Sequence, residues 1–461
     1  MSLITLILII SILFLANIKY IKNTYLGDSI YVDGALIVLF AGATTGIFNV
    51  KQKAKADRKI FEQFVNRWLA HYPITNLITT PSLQKAPPSS FGENDLYDYG
   101  VEAIVVVDQD IYVDLFVKNK GQKEVGIFLS GGLDSSIIAA QIAQRHPRPV
   151  HTFSIHFGKN YPNELEYAKS VADRYKTIHH EVEICPKDFL PNIRKTIWHL
   201  DDPITIPNFE LAKYVAQHVP IIFNGEGSDP CFGGPKNIPM LLGHWYGGIQ
   251  REKHFREKAY LASYRRSYKH LRELLSPALL EQLDEEEFLE SVLVPFFEEP
   301  RLNFLDKLMS INIRLKGAHL IFPKVERILG AAGLPAVAPF FTQTLVQSSM
   351  EMPSKYKLNK GIEKYILKDF FAKDLSYSII GRPKSGMRVP VHYWFQGEMK
   401  GYKKQLLNAK SIQQAGIFNP KTVQLLLKYS NDKGLKRHGL LTWMIMTFEI
   451  WRQIFIEKQT I

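Results

Sequence analysis

The stretch Glu124 to Gln141, EVGIFLSGGLDSSIIAAQ, opens with the short apolar run Val125 to Leu129. It turns through Ser130-Gly131-Gly132-Leu133-Asp134-Ser135-Ser136 and continues into an Ile/Ala-rich segment of helical character. It reads as a strand, a glycine turn and a helix start. Paired glycines open conformations closed to other residues and let the backbone approach an anion. The free N–H groups at a helix start face that anion together with the positive end of the helix dipole. Ser130, Ser135 and Ser136 add hydroxyl donors, whereas Asp134 would repel phosphate unless a divalent cation such as Mg²⁺ lies between them. The pattern predicts a nucleoside triphosphate with Mg²⁺. No lysine follows the glycines, which excludes the Gly-x4-Gly-Lys-Ser/Thr loop of kinases and GTPases. The bland alternative is an ordinary glycine turn between a strand and a helix.

With 461 residues, 46% hydrophobic and 22% charged, the chain can bury a large core and form more than one domain. Cys185 and Cys231 are its two cysteines, far apart and outside any C-x-x-C pair, which argues against a disulfide scaffold or a zinc cluster and fits a reducing compartment. The net charge of +12 fits nucleic acid, an anionic membrane or an anionic substrate. No tract interleaves basic and aromatic residues, so membrane surface plus nucleotide is favoured over nucleic acid.

Ser130 to Ser136 resembles the pyrophosphate-binding loop of the asparagine synthetase family, whose members activate a carboxylate as its acyl-adenylate, release pyrophosphate and let an amine attack. The resemblance runs from about Val125 to the C-terminus. It implies an α/β fold, a doubly wound parallel-sheet nucleotide-binding domain of the adenine nucleotide alpha hydrolase-like type, with a helical C-terminal lobe, over residues 124–461. Val150 to Phe157 (VHTFSIHF) reads as a second strand and is similar to the family strand TFSIGF, so Leu129, Ser154 and Ile155 are expected at ATP. His156 replaces a glycine there and is expected to be structural. The adjacent His179 and His180 would point to opposite faces of a strand and cannot share one metal.

After the short strand Pro220 to Phe223 comes Asn224-Gly225-Glu226-Gly227-Ser228-Asp229-Pro230-Cys231-Phe232-Gly233-Gly234-Pro235. Glycines beside acidic groups at a strand end occupy the usual ligand position of an open α/β sheet. By resemblance, Asn224 and Gly225 touch ATP, Asp229 joins Asp134 at Mg²⁺, and Glu226 orients or deprotonates the amine. Trp198 to Asn208, with Asp201 and Asp202, matches a segment lining the substrate side. Lys324-Val325-Glu326-Arg327 resembles the family's Lys-Val-Asp-Arg. In the run Pro335 to Thr342, Ala338 and Thr342 replace an arginine and an aspartate, which weakens a reading of aspartate as substrate. Leu358 to Leu367 (LNKGIEKYIL) and Gly381-Arg382-Pro383-Lys384-Ser385-Gly386-Met387 restore the match, and the resemblance makes Lys384 the lysine that stabilises charge during transfer.

Upstream, Leu3 to Ala16 is almost purely aliphatic and extends through Ile21, approaching the ~20 residues of a spanning helix. A second run, Ala35 to Phe48, precedes Lys51, Lys53, Lys55, Arg58 and Lys59, a cluster that the positive-inside tendency places in the cytoplasm. Residues 1–50 are therefore expected to be a membrane hairpin or a single anchor, with a buried core helix as the alternative. Residues 51–123 form a connector, with a Pro/Ser-rich linker at Pro81 to Gly92. Glutamine-dependent family members begin with a catalytic cysteine and a glutaminase domain, whereas this chain starts Met1-Ser2 with no cysteine before Cys185. The expected partners are ATP, a small-molecule, peptide or glycan carboxylate, and ammonia or another amine, with a separate glutaminase subunit as one ammonia source. The catalytic domain is expected on the cytoplasmic side. The alternatives are an asparagine synthase acting on aspartate and a catalytically silent membrane scaffold.

Overall fold

The computed structural model describes residues 124–202, 208–235, 237–246, 252–263, 271–382, 389–430 and 437–461. Five strands are parallel: β1 (Val125–Phe128), β2 (Val150–His156), β3 (Ile178–Glu183), β4 (Ile222–Phe223) and β5 (Ala336–Val337). They lie in the order β3-β2-β1-β4-β5. Val125 pairs with Val150, Gly126 with Ile222, and Ile222 with Ala336. Val125 and Ile127 are fully buried, as expected of a strand covered on both faces by helices.

Alternation along the strands builds two cores. The consecutive residues Ile222 and Phe223 enter different apolar clusters, because successive side chains of a strand point to opposite faces. One cluster joins Val125, Ile127 and Phe223 to helix α1 (Leu133–Arg145) and helix α2 (Leu165–Tyr175). The other joins Phe153, Val182 and Ile222 to α3 (Ile193–Leu200), α4 (Asn208–Ala216) and α5 (Phe322–Ala331), and to the terminal helix α6 (Arg437–Phe455). Helix α6 buries every residue from Trp443 to Trp451, and the fully buried Glu449 among them accepts two bonds from Arg452 at 2.7 and 2.8 Å.

The expected histidine geometry holds. His179 bonds the Thr152 hydroxyl at 2.9 Å, while His180 stacks on Phe153 and lies 2.9 Å from a His151 ring nitrogen, on the other face. His156 accepts from the Gly158 amide.

The region from Leu241 to Leu320 is mainly helical where described, as its sequence predicts, and runs into a π-helical stretch, Asn312–Ile321, that leads into α5. Among the described residues no helix is long and apolar enough to cross a membrane. The expected membrane segment, residues 1–50, and the connector, residues 51–123, lie outside the described residues.

Candidate active site

The order of the sheet reverses between β1 and β4, and both loops leaving those strands open into one crevice, the ligand position of an open α/β sheet. In the first loop Gly131 takes φ +70°, and a β-carbon there would lie 2.5 Å from the Ala168 amide nitrogen of α2. Gly132 has φ −80°, open to any residue, so one of the paired glycines supplies the conformational freedom. The Ser130 and Ser135 hydroxyls lie 3.0 Å apart; Ser135 Oγ also accepts from the Ser130 amide, and Ser130 Oγ from the Gly132 amide. The two serines shape the turn as well as facing the crevice.

The second loop lies on the first. A β-carbon on Gly225 would stand 2.7 Å from the Ser135 nitrogen and 2.8 Å from the Asp134 carbonyl carbon. Next to it, Asn224 is buried; its Oδ1 accepts from the Glu226 amide, and its Nδ2 finds no hydrogen-bond partner among the described residues. Glu226 is exposed at the crevice edge.

Lys364 joins the loops. Its Nζ lies 2.5 Å from Asp134 Oδ1 and 2.7 Å from Asp229 Oδ1, and its side chain is 3% exposed. A hairpin presents it: Leu358–Asn359 pairs with Ile362–Glu363 across Lys360 and Gly361, both at positive φ, the signature of a type I′ turn. The crevice has a volume of about 970 Å³. Leu129, Ser130, Gly132, Asp134, Ser135, Ser154, Ile155, Asn224, Gly225, Glu226 and Asp229 all line it.

Two expected residues do not. Gly131 is buried and gives its carbonyl to Arg382, and Ser136 is fully buried on the inner side of α1, its hydroxyl without a partner among the described residues. The helical turn carries Ser136 inward, away from the side that Ser135 presents. Lys384 lies outside the described residues.

A family model for asparagine synthase matches residues 118–453. The chain belongs to the asparagine synthase family. Over 376 residues it is 26% identical to asparagine synthetase 1 (glutamine-hydrolyzing) of Bacillus subtilis strain 168, covering 76% of this chain and 59% of that protein. Over 125 residues it is 34% identical to asparagine synthetase 2 (glutamine-hydrolyzing) of Oryza sativa subsp. japonica, 24% of this chain and 21% of the relative. Over 156 residues it is 33% identical to asparagine synthetase 3 (glutamine-hydrolyzing) of Arabidopsis thaliana, 28% of this chain and 26% of the relative. The chain thus spans about six-tenths of the length of the Bacillus subtilis relative.

Several residues of the asparagine synthase domain receive no role from sequence reasoning. Lys364 sits inside LNKGIEKYIL, and the Asn359-Lys360-Gly361 turn signal places a hairpin just before it, but its carboxylate partners are 230 and 135 positions away in the chain. Arg382 donates to the Gly131 carbonyl at 3.1 Å, pairs with Glu164 and stacks on Tyr167 at 3.9 Å, tying the first loop to α2. Lys324 pairs with Asp202 at 3.0 Å, linking two matched motifs; burial pulls its ammonium below the ordinary lysine range and the Asp202 carboxylate opposes that pull. Asp202 is buried, and Asp201 caps α3 in a left-handed conformation.

The replaced family charges fall off the crevice wall. Thr342 caps the helix Gln343–Glu351 by accepting from the Leu345 amide, and neither Thr342 nor Ala338 lines the crevice. Pro230 and Pro235 do line it. Neither cysteine does; burial pushes the Cys231 thiol up to about 12, and burial with the Asp188 carboxylate pushes Cys185 up to about 11. Elsewhere, His254, Glu286 and Glu290 bring ligand atoms together at the surface, where Lys253 already pairs with both glutamates.

Proposed function

We propose that this chain is an ATP-dependent, AMP-forming amide-bond synthetase. What supports the reading above all is the convergence of Asp134 and Asp229, carried by loops from two different strands, on one Lys364 nitrogen at the point where the strand order reverses.

The donor set fits magnesium, a hard cation that takes carboxylate oxygens. Asp134 and Asp229 would hold it, and when bound it would neutralise phosphate charge that opposes attack at the α-phosphorus. Leu129, Ser130, Gly132, Ser135, Ser154, Ile155, Asn224 and Gly225 would hold ATP, with the Asn224 Nδ2–H available as a buried donor. A substrate carboxylate oxygen attacks the α-phosphorus, forming the acyl-adenylate and expelling pyrophosphate. The amine then attacks the acyl carbon; the C–N bond forms, the C–O bond to phosphate breaks, and AMP leaves with that electron pair. Glu226, at the crevice edge, takes the proton that the amine gives up. Lys384 is assigned the stabilisation of negative charge on phosphorus and on the tetrahedral intermediate.

The carboxylate is a small molecule, or one borne on a peptide or glycan. The amine is ammonia, delivered from solution or from a glutaminase subunit, or another amine. Residues 1–50 attach the protein to a membrane with this domain on the cytoplasmic side. The second reading, aspartate to asparagine, is favoured by the names of the relatives.

The test is Mg²⁺-dependent ATP–pyrophosphate exchange on detergent-extracted full-length protein, across a panel of carboxylates that includes aspartate. Exchange with an acid of the panel is expected, and it should vanish in Asp134→Asn and Asp229→Asn and fall by about a hundredfold in Lys384→Ala. Asparagine formed from aspartate and ammonium would decide for the second reading. Normal exchange in the aspartate variants would overturn the site, and ATP binding with no exchange for any carboxylate would point to a scaffold.

A further inference from the structure

Lys364 stands where the reading above puts the metal ion. We infer that Lys364 is an internal counter-ion that holds the two metal carboxylates in the absence of nucleotide, and so makes divalent-cation binding conditional on ATP. The inference rests on Asp134 and Asp229 being the metal ligands.

Three observations carry it. One ammonium contacts an oxygen of each carboxylate, at 2.5 and 2.7 Å, so the two acids are already drawn together and their mutual repulsion is already offset. The Lys364 side chain is 3% exposed, and those of Asp134 and Asp229 are 17% and 24% exposed, so water screens these charges less than at the surface and an unneutralised pair there would be costly. Lys364 is also held in place: it takes φ +53°, a conformation that L residues rarely adopt, between the hairpin that delivers it and the helix Tyr365–Phe370 that follows.

Charge counting gives the consequence. Taken by themselves, the two carboxylates and the one ammonium sum to −1, so Lys364 offsets one of the two negative charges. A divalent ion entering beside Lys364 would raise the sum to +1 and set two cations against each other; entering in its place, it would first have to break both contacts. A triphosphate reverses the balance, because it brings enough negative charge for Lys364 and the metal together. Lys364 then moves from the carboxylates to phosphate oxygens, and the metal takes the carboxylates. Nucleotide and metal each raise the other's affinity, as thermodynamic linkage requires.

The test measures Mn²⁺, a paramagnetic stand-in for Mg²⁺, by the electron paramagnetic resonance of the free ion, with full-length wild type and Lys364→Met, each with and without a non-hydrolysable ATP analogue. Wild type is expected to bind Mn²⁺ at least about tenfold more tightly with the analogue than without it. Lys364→Met is expected to bind Mn²⁺ without the analogue about tenfold more tightly than wild type does. Since the variant leaves two carboxylates facing each other, its melting temperature should be low and should rise with MgCl₂ alone, whereas wild type should not respond.

Nucleotide-free Mn²⁺ affinity and melting that are the same in Lys364→Met as in wild type would overturn the counter-ion, while loss of analogue-dependent Mn²⁺ binding in Asp134→Asn and Asp229→Asn would leave the metal assignment standing. Analogue-dependent Mn²⁺ binding indifferent to both aspartate substitutions would instead remove the metal site and the counter-ion with it.

Discussion

Gly225 lies so close to Ser135 that a β-carbon on the glycine would come within 2.7 Å of the serine nitrogen. The turn after β4 and the first turn of α1 are therefore one packed unit, and the position of Asp134 depends on a residue 91 places later in the chain.

Gly225→Ala should push the two turns apart. We expect a loss of stability of about 1–3 kcal/mol, typical of overpacking, and a fall in ATP–pyrophosphate exchange of about tenfold or more as the carboxylates separate. Gly132→Ala, where φ is −80° and the nearest crowding atom is Ser130 Oγ at 3.3 Å, should cost less. Urea unfolding and exchange assays on both variants check this; equal effects would show that the close approach at Gly225 is not decisive.

Arg382 joins the Gly131 carbonyl, Glu164 and the Tyr167 ring through one guanidinium. Arg382→Lys keeps the charge and loses the planar fork. The expected result is an ATP KM raised by about tenfold in both Arg382→Lys and Arg382→Ala, the scale of a lost charged hydrogen bond. Full rescue by lysine would mean that charge alone matters there.

Lys357, fully buried, pairs with Asp306 at 2.9 Å, and Asp306 is held in turn by Asn303 and Ser354. Removing one partner of a buried pair strands the other charge, so Lys357→Met should cost about 3–5 kcal/mol in denaturant unfolding. Combining it with Asp306→Asn should recover part of that loss. A double variant that is worse by the sum of the singles would contradict this account.

Lys403 is fully buried, with its Nζ 2.7 Å from the Ser430 hydroxyl. Burial first, then Lys400 and Lys404, lowers its pKa from 10.5 to about 8. Between those values this group binds more protons in the unfolded chain than in the native one, so its own contribution to stability rises with pH from about 8 to 10.5 and is level below that window. The rise should reach up to about 3 kcal/mol. Lys403→Met should rise less than wild type over this window, which pH-dependent denaturation of the two proteins compares directly; equal slopes in the two proteins would assign the rise to other groups.

Much of this was legible because local physics writes it locally. Val125 to Ser136 encodes a strand, a turn and a helix start within a dozen residues, and the structure has β1, the turn and α1 there. The glycine-acid segment after Pro220 marks the second loop in the same way, and alternation on β3 separates His179 from His180. What the local pattern does not carry is which loop residues face the crevice: helical geometry turns Ser136 into the core, and the Gly131 carbonyl accepts from Arg382.

By itself, then, the sequence determined that a strand of an α/β sheet lies at Val125 and which two glycine loops follow strands of it, because strand period, turn residues and helix starts are short-range properties. Only the tertiary structure decided that the loops touch at Gly225 and Ser135, that Arg382 ties the first loop to α2, and that Asp134, Asp229 and Lys364 share one buried site. Those contacts join residues a hundred or more positions apart, or close to it, and they exist because β1 and β4 lie side by side in the sheet, a pairing that no local pattern in either segment specifies.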